Sequence, residues 1–121
     1  MSLFNLMVEY PRTLDATYAA LANDTRRAIV GRLGAGAARV TDLAEPFDMS
    51  LAAVSKHILV LERAGLVRRR VEGRTHWLSL DPRPLAEAEA WIERTRAFWD
   101  ERLDALEGIL RAGQAETGAN P

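Results

Sequence analysis

Apolar residues recur at helical spacing along the first half of the chain and predict four helices. The first two are expected over residues 13–22 and 25–33, each with one apolar stripe. A third, very short helix opens at Thr41 and is limited by Pro46, because proline cannot donate a backbone hydrogen bond inside a helix. The fourth helix is expected over 51–64. The pattern therefore indicates a mainly α-helical N-terminal part.

Residues that cap helices stand at the predicted boundaries. The side-chain oxygen of Asp24 or Thr25 is expected to cap the second helix, and that of Ser50 the fourth. Gly65 is expected to end the fourth helix, since glycine readily adopts the left-handed conformation that follows many helices. Phe47, between the third and fourth helices, is predicted to pack into the core.

Two short segments rich in β-branched, aromatic and alternating residues follow the fourth helix. They cover 66–72 and 75–80 and are separated by the turn signal Gly73-Arg74, so they predict a β-hairpin. Because side chains alternate along a strand, one face of the second strand is expected to be packed and the other solvated. One face carries His76, Leu78 and Leu80, and the other carries Trp77 and Ser79. His76 is expected to face the core or the fourth helix.

The C-terminal part predicts one long helix over residues 85–112. Its apolar side chains form a broad stripe at near-heptad spacing, and such a stripe needs a partner to be buried. The stripe consists of Leu85, Ala88, Trp91, Ile92, Phe98, Trp99, Leu103, Leu106 and Leu110. Residues 113–121 are small and polar and are predicted to be a disordered tail.

Composition narrows the class of protein. With 121 residues, 48% of them hydrophobic, a single folded domain over residues 1–112 is expected. The absence of cysteine excludes disulfides, a thiolate metal site and a cysteine nucleophile. Charges interrupt the apolar segments, and residues 1–12 lack the basic start and cleavage site of a signal peptide. We therefore expect a soluble, cytoplasmic protein.

The formal net charge is −1, but the charge is unevenly distributed along the chain. Residues 50–76 carry six basic and two acidic side chains, whereas residues 81–121 carry five arginines and nine acidic side chains. A basic middle followed by an acidic end fits a domain with one face that meets a polyanion. It fits a random scatter of charge on a solvated surface equally well, so charge alone leaves both interpretations open.

The order of the predicted elements, α-α-α-α-β-β-α, is that of a winged helix-turn-helix protein. In that fold the fourth helix enters the DNA major groove, and the hairpin, or wing, reaches the adjacent backbone or minor groove. The start of this helix offers small and cationic side chains, which suit close approach to DNA. The wing carries three consecutive arginines, Arg68, Arg69 and Arg70. At least one of them is expected to lie along the sheet, and the wing tip is expected to contact phosphate. The candidate DNA-binding residues are Ser50, Leu51, Ala52, Ser55, Lys56, His57, Arg70, Arg74 and Thr75.

Two strings, ALANDTRRAIVGRL and VTDLAEPFDMSLAAVSKHILVLERAGLVRRRVEGRTHWLSL, lie within residues 18–81. They contain the specific signature S-x-x-x-V-S-K-H-I-x-x-L-x-x-A-G-L-V followed by E-G-R. With this signature the chain resembles the ArsR-type winged-helix transcriptional repressors of bacteria and archaea. The C-terminal string LAEAEAWIERTRAFWDERLDALEGIL also resembles a branch of that family that does not sense metals.

The resemblance implies a homodimer whose two recognition helices read an imperfect inverted repeat about one DNA turn apart. The implied activity is repression of transcription by occupying an operator. The family pattern places the cap and four residues of the fourth helix against DNA, namely Ser50, Ala52, Ser55, Lys56 and His57, and it places Arg74 at the wing tip. Leu51 departs from the polar residue that is frequent at its position. The implied dimer interface, on the first and last helices, contains Leu14, Tyr18, Trp91, Phe98, Trp99, Leu103, Leu106 and Leu110.

Other functions are disfavoured by the residues present. Metal-sensing members of the family carry cysteines on the third helix or His and Asp pairs on the last, whereas residues 81–121 contain no histidine. No metal and no cofactor are therefore expected. Catalytic motifs such as a glycine-rich phosphate loop are absent, so no enzyme activity is expected. For Trp91, Phe98 and Trp99, dimer core is favoured over a small-molecule pocket between protomers, and both interpretations stay open. The sequence leaves room for a small-molecule inducer but identifies none.

The main alternative is a winged helix that acts as a protein interaction module, with its basic wing facing an acidic partner. Salt-sensitive affinity for duplex DNA distinguishes the two, because binding to a polyanion releases counterions and weakens steeply with salt.

Overall fold

The computed structural model describes residues 13–118, and side chains as far as residue 114. The chain divides into two compact units, Met1–Ala88 and Glu89–Pro121. The elements follow the order α-α-β-α-α-β-β-α. The four helices and the hairpin of the first unit are thus confirmed, and one short strand, β1, is additional to the predicted order.

The first two helices, α1 and α2, cover residues 13–21 and Asp24–Leu33. The cap of α2 differs from the prediction of Asp24 or Thr25. Asn23 has the extended backbone of a cap, and its side-chain oxygen accepts from the backbone N–H of Arg26 at 3.0 Å. Asp24 is the first residue within the helix and accepts instead from the N–H of Thr25.

Helix α3, Val40–Ala44, begins one position before Thr41, the residue predicted to open it. Its start is fixed by Asp42, whose carboxylate accepts from the backbone N–H of Arg39 at 3.0 Å. Leu43 is buried, and Phe47 packs against the core as predicted.

Helix α4, Leu51–Arg63, has the boundaries that the sequence predicted to within one residue. Ser50 Oγ accepts from the backbone N–H of Ala53 at 3.1 Å, which confirms the predicted cap. Gly65 has φ +79°, and the chain turns back through a bond from the N–H of Leu66 to the carbonyl of Leu61. A left-handed glycine with this bond is a common helix ending.

Three antiparallel strands form the sheet: β1 (Ala38–Arg39), β2 (Val67–Glu72) and β3 (Thr75–Leu80), in the spatial order β1-β3-β2. The hairpin of β2 and β3 turns at Gly73, where φ is +61°. Strand β1 was not predicted because two residues carry no periodicity, and only pairing with β3 makes them a strand.

The core of the first unit takes side chains from α1 to α4 and all three strands. It contains Ala20, Ile29, Leu33, Ala38, Leu43, Val54, Ile58, Leu61, Leu66, Val67 and Leu78. On β3, Leu78 is buried and Leu80 is packed, but His76, on the same face, is exposed. Of the two expected positions for His76, the core is therefore wrong, and the side chain lies instead beside Arg69, which binds Glu62 of α4.

Helix α5, Arg83–Gly118, is longer than the predicted 85–112 at both ends. Asp81 accepts from the backbone N–H of Arg83 at 3.1 Å, so the helix starts within the segment expected to break the strand. Pro84 fits the first turn, where its missing N–H has no helical partner. The tail predicted to be disordered, 113–121, is helical as far as Gly118, and its last three residues lie outside the described part of the chain.

Candidate nucleic-acid interface

Helix α4 has one buried face and one face in solvent. Val54, Ile58 and Leu61 are completely buried, and this fixes the rotation of the helix about its axis. The opposite face begins with Leu51, which is 51% exposed, and continues with the exposed side chains of Ala52 and Lys56. Ser50 is also exposed but caps the helix, and Ser55 is half-buried. The predicted positions at the start of α4 therefore lie together on one small, solvent-facing surface.

His57 is oriented differently from these residues. It is half-buried, and its Nδ1 lies 3.3 Å from Nη1 of Arg26 on α2. The same guanidinium donates to the carbonyls of Ala19 and Ala20 at the end of α1, at 3.1 and 2.6 Å. Arg26 thus connects α1, α2 and α4. This connection was missed in the sequence, because nothing in the local pattern distinguishes Arg26 from the neighbouring Arg27.

The three consecutive wing arginines have three different partners. Arg68 forms an ion pair with Asp81 at 3.0 Å. Arg70 forms one with Glu72, also at 3.0 Å, and both of these side chains are exposed. Arg69 donates through Nε to Glu62 of α4 at 3.2 Å, and its Nη1 lies 3.0 Å from Nδ1 of His76. Arg69 is therefore the arginine that lies along the sheet, as was predicted for at least one of the three.

Arg69 joins the wing to α4. Its hydrogen bonds to Glu62 raise the pKa of the guanidinium above its usual value. The side chains of Arg69 and Glu62 are 28% and 22% exposed. A charged, bidentate contact of this kind fixes orientation as well as distance. The wing and the exposed face of α4 are thus held in one geometry.

Asp81 holds the other end of the wing. It is buried, and it accepts from Arg83 and Arg68, which approach from α5 and β2. The hydrogen bonds from the Arg83 side chain, and then from its backbone N–H, hold the pKa of Asp81 well below its usual range. The positive charges of Arg83 and Arg68 act in the same direction.

Of the three cations among the candidate DNA-binding residues, Lys56 on α4 and Arg74 at the wing tip have no ion pair within the described residues, whereas Arg70 pairs with Glu72. Thr75, next to Arg74, is half-buried. An unpaired surface cation keeps its full charge for an external anion, whereas Arg68 and Arg69 are neutralised by buried or half-buried carboxylates. Lys56 and Arg74 are the strongest of the predicted phosphate contacts for this reason.

Most of the predicted apolar stripe lies in the second unit and is exposed, whereas Leu85 and Ala88 lie in the first unit, where Leu85 packs against the core and Ala88 is buried. The large apolar side chains of the second unit are 44–68% exposed: Trp91, Ile92, Phe98, Trp99, Leu103, Leu106, Ile109 and Leu110. Ile109, the most exposed, was not part of the predicted stripe. Trp99, Leu103, Leu106 and Leu110 follow one another at intervals of four, three and four residues, which is the spacing of a coiled-coil seam. Phe98 lies beside it, in edge-to-face contact with Trp99 and beneath the guanidinium of Arg102.

Of the predicted interface residues on α1, Leu14 and Tyr18 are both half-buried. The Tyr18 hydroxyl donates to the carbonyl of Ala88 at 3.4 Å, within the first unit. Across the described residues there is no group of three or more His, Cys, Asp or Glu side chains that could hold a metal ion. No helix in the described range is long and apolar enough to cross a membrane.

Comparison with known proteins identifies the class that this fold and surface define. A family model described as a helix-turn-helix domain matches residues 21–70. The HTH-type transcriptional regulator Rv2034 of Mycobacterium tuberculosis is 41% identical over 99 residues, which is 82% of this chain and 90% of the relative. The transcriptional repressor SdpR of Bacillus subtilis is 27% identical over 79 residues, or 65% of this chain and 88% of that protein.

Among solved structures, the crystal structure of the ArsR family transcriptional regulator RHA00566 has 40% identity and a TM-score of 0.71. That match covers 74% of this chain and 93% of the other. The chain belongs to the ArsR family of winged helix-turn-helix transcriptional regulators. The resemblance and the fold class expected from the sequence are both confirmed.

Proposed function

We propose that this regulator is a homodimeric repressor that binds an inverted-repeat operator, with α4 in the major groove and the wing on the adjacent backbone. The observation that carries the proposal is the exposed face of α4. It presents a small residue, Ala52, and an unpaired cation, Lys56, while the opposite face is completely buried. Small side chains allow the helix to approach base edges, and the cation meets phosphate.

The wing supports the same proposal through its fixed position. Arg69 and Glu62 hold β2 against α4, so Arg74 at the wing tip is presented at a set distance from the recognition helix. A fixed spacing between α4 and the wing tip suits a rigid duplex. A phosphate contact at Arg74 then sets the position of α4 along the major groove. Among the predicted residues, His57 contributes to the interface by orienting α4 through Arg26.

The homodimer is proposed from the second unit. Eight large apolar side chains exposed along one helix form a larger apolar surface than a soluble monomer usually leaves uncovered. A second copy of the same helix offers a matching seam and is self-complementary about a twofold axis. Two copies bring two recognition helices to two half-sites of an operator.

Repression follows from occupancy, because a dimer bound over a promoter blocks the polymerase. The similarity to SdpR, a protein named as a transcriptional repressor, supports this direction of control.

The test is fluorescence anisotropy with DNA from upstream of the protein's own gene and with scrambled duplex, over a salt series. Specific binding is expected to exceed binding to the scrambled duplex by about a thousandfold. Lys56→Ala is expected to weaken binding to both duplexes and to lower the slope of log K against log salt by about 0.9. The matched control is Arg94→Ala, which removes the same charge from the side of α5 opposite the seam.

An unchanged salt slope for Lys56→Ala would remove this residue from the interface. Weak and equal affinity for both duplexes would contradict the proposed operator binding, and would favour the protein interaction module with a basic wing.

A further inference from the structure

A second basic surface lies between the wing and the junction of β1 with α3. It is a cleft of about 350 Å³, close to the lower limit of small-ligand sites. Three arginines line it, Arg39, Arg69 and Arg74, together with the hydroxyl-bearing Thr41 and Thr75, and with Val40 and His76. We call it the arginine cleft. No sequence pattern predicted it, because the tertiary pairing of β1 with β3 brings residues 39–41 beside residues 74–76.

The lining of the arginine cleft contains no carboxylate. Arg39 and Arg69 form ion pairs with Asp42 and Glu62, and neither of these carboxylates lines the cleft. A second cleft, of about 340 Å³, gives a direct contrast, because Asp81 itself lines it and binds both of its arginines, Arg68 and Arg83. In that second cleft a lining carboxylate binds the arginines, whereas the arginine cleft combines three arginines, two hydroxyls, Val40 and His76 with no carboxylate in its lining.

Donors remain available in the arginine cleft. Arg39 uses Nε and Nη2 for Asp42, and its Nη1 has no partner among residues 13–118. The hydrogen bonds from Arg39 hold the pKa of Asp42 below its usual value, which favours the ionised carboxylate that binds the guanidinium. Arg74 has no ion pair in the described range, and Arg69 adds positive charge although its own nitrogens are already bound.

We propose that the arginine cleft is a binding site for a single phosphate group, held by Arg39 and Arg74 with the hydroxyls of Thr41 and Thr75. A tetrahedral dianion matches two guanidinium groups and two hydroxyl donors arranged around a small cleft. The group comes either from the DNA backbone or from a free phosphorylated molecule, and the two sources have different consequences. A backbone phosphate adds an anchor beside the wing, whereas a free phosphate competes with DNA at Arg74.

The first arm of the test uses the purified full-length protein without DNA. Isothermal titration calorimetry with inorganic phosphate and pyrophosphate, at ionic strength kept constant with sodium chloride, measures binding of the free group. Arg74→Ala is expected to weaken that binding about tenfold or more, since it removes charge-assisted hydrogen bonds. Arg94→Ala removes the same charge elsewhere and is expected to leave it unchanged.

Arg39 needs two further variants, because removing it also leaves Asp42 unpaired. Arg39→Gln combined with Asp42→Asn removes both charges and is expected to weaken binding to the same degree as Arg74→Ala. Arg39→Lys keeps the charge but loses the planar fork of the guanidinium. It is therefore expected to bind phosphate more weakly than the wild type and more tightly than the double variant. Circular dichroism and thermal melting establish that each variant is folded.

The second arm repeats the salt series with duplex DNA, and this arm alone depends on the proposed function. If the phosphate belongs to the DNA backbone, the Arg39→Gln, Asp42→Asn protein is expected to show a salt slope lower by about 0.9. If the site takes a free phosphate, pyrophosphate is expected to displace DNA from the wild type beyond the effect of chloride at equal ionic strength. Phosphate binding in the first arm supports the site, and the outcome of the second arm identifies the source of the phosphate.

The proposal is overturned if the wild type binds neither probe up to tens of millimolar and the Arg39 variants leave the salt slope unchanged. If the protein binds no DNA at all, the proposed function fails and the calorimetric arm alone decides whether the site exists. The two failures are therefore distinguishable.

Discussion

The two units of the chain place equally regular apolar side chains in opposite environments. In α4 of the first unit, Ile58 and Leu61 are 0% exposed beneath the neighbouring helices and strands. In the second unit, Leu103 and Leu106 have the same helical spacing and are 57% and 51% exposed. Helical spacing thus identifies an apolar face but not what covers it. The chain itself covers the face of α4, and we propose that a second copy covers the face of α5.

The largest effect is expected in the core of the first unit. Leu61→Ala is expected to lower the free energy of unfolding by about 2–5 kcal/mol, because it leaves a cavity beneath α4. The matched control is Leu59→Ala on the exposed side of the same helix, with an expected loss of about 0.5 kcal/mol or less. Urea denaturation followed by circular dichroism measures both, and equal losses would contradict the assignment of the buried face.

The second prediction concerns the face of α5. Leu106→Glu is expected to raise the dissociation constant of the dimer roughly 30-fold or more, since it places a charge at the centre of an apolar interface. Sedimentation velocity over a concentration series measures this, and operator affinity is expected to fall with the loss of the dimer. Arg94→Glu, on the side of α5 opposite the seam, is the control. A Leu106→Glu protein that remains dimeric at wild-type concentrations would contradict the proposed interface.

The same contrast explains how much of the fold could be predicted from the sequence. The bounds of α4 and the hairpin were predicted well because their signals are local, such as the Ser50 cap, the left-handed Gly65 and the turn at Gly73. Strand β1 could not be predicted, since two residues become a strand only by pairing with β3, far along the chain. The long helix was underestimated at its start because Asp81 caps it from within a segment rich in proline.

The candidate site was predicted less completely than the fold. Helical position placed Lys56 and His57 side by side as candidate DNA contacts, and the structure separates them. Lys56 is exposed, whereas His57 meets Arg26, which lies 31 residues away in the chain. A local pattern also could not predict which wing arginine lies along the sheet. Arg69 is the one because it contacts Glu62 and His76, which are distant in the sequence.

The third prediction tests whether Arg26 positions α4. Arg26→Ala removes two hydrogen bonds to carbonyls at the end of α1 and the contact with His57, and is expected to lower the free energy of unfolding by about 1–3 kcal/mol. Arg27→Ala is the matched control, because the neighbouring Arg27 donates a single bond to the carbonyl of Leu21 on exposed surface. The loss for Arg27→Ala is expected to be within about 0.5 kcal/mol.

Urea denaturation measures the stability of both Arg26→Ala and Arg27→Ala, and anisotropy measures their DNA affinity. Arg26→Ala is also expected to weaken specific binding more than binding to scrambled duplex, since a misplaced recognition helix loses base contacts before phosphate contacts. Identical behaviour of the two arginine variants would show that Arg26 is an ordinary surface residue.

The smallest expected effect depends on pH and arises at Asp81, where α5 begins. Its pKa lies below its usual range in the folded protein, because Arg83 and Arg68 bind the ionised carboxylate. The charged form therefore stabilises the fold at pH values above the unfolded pKa of about 4, and this contribution is lost as the pH falls towards the folded pKa. Asp81→Asn removes the charge and keeps the size of the side chain.

Asp81→Asn is accordingly expected to lower the urea midpoint most at pH 7, with a difference from wild type that shrinks as the pH falls below about 4. Asp48→Asn is the control, since Asp48 is exposed and has no ion pair among the described residues. A difference between wild type and Asp81→Asn that stayed constant down to pH 3 would mean that Asp81 acts through its hydrogen-bonding shape alone. The start of α5 would then depend on a neutral cap rather than on the two arginines that converge on it.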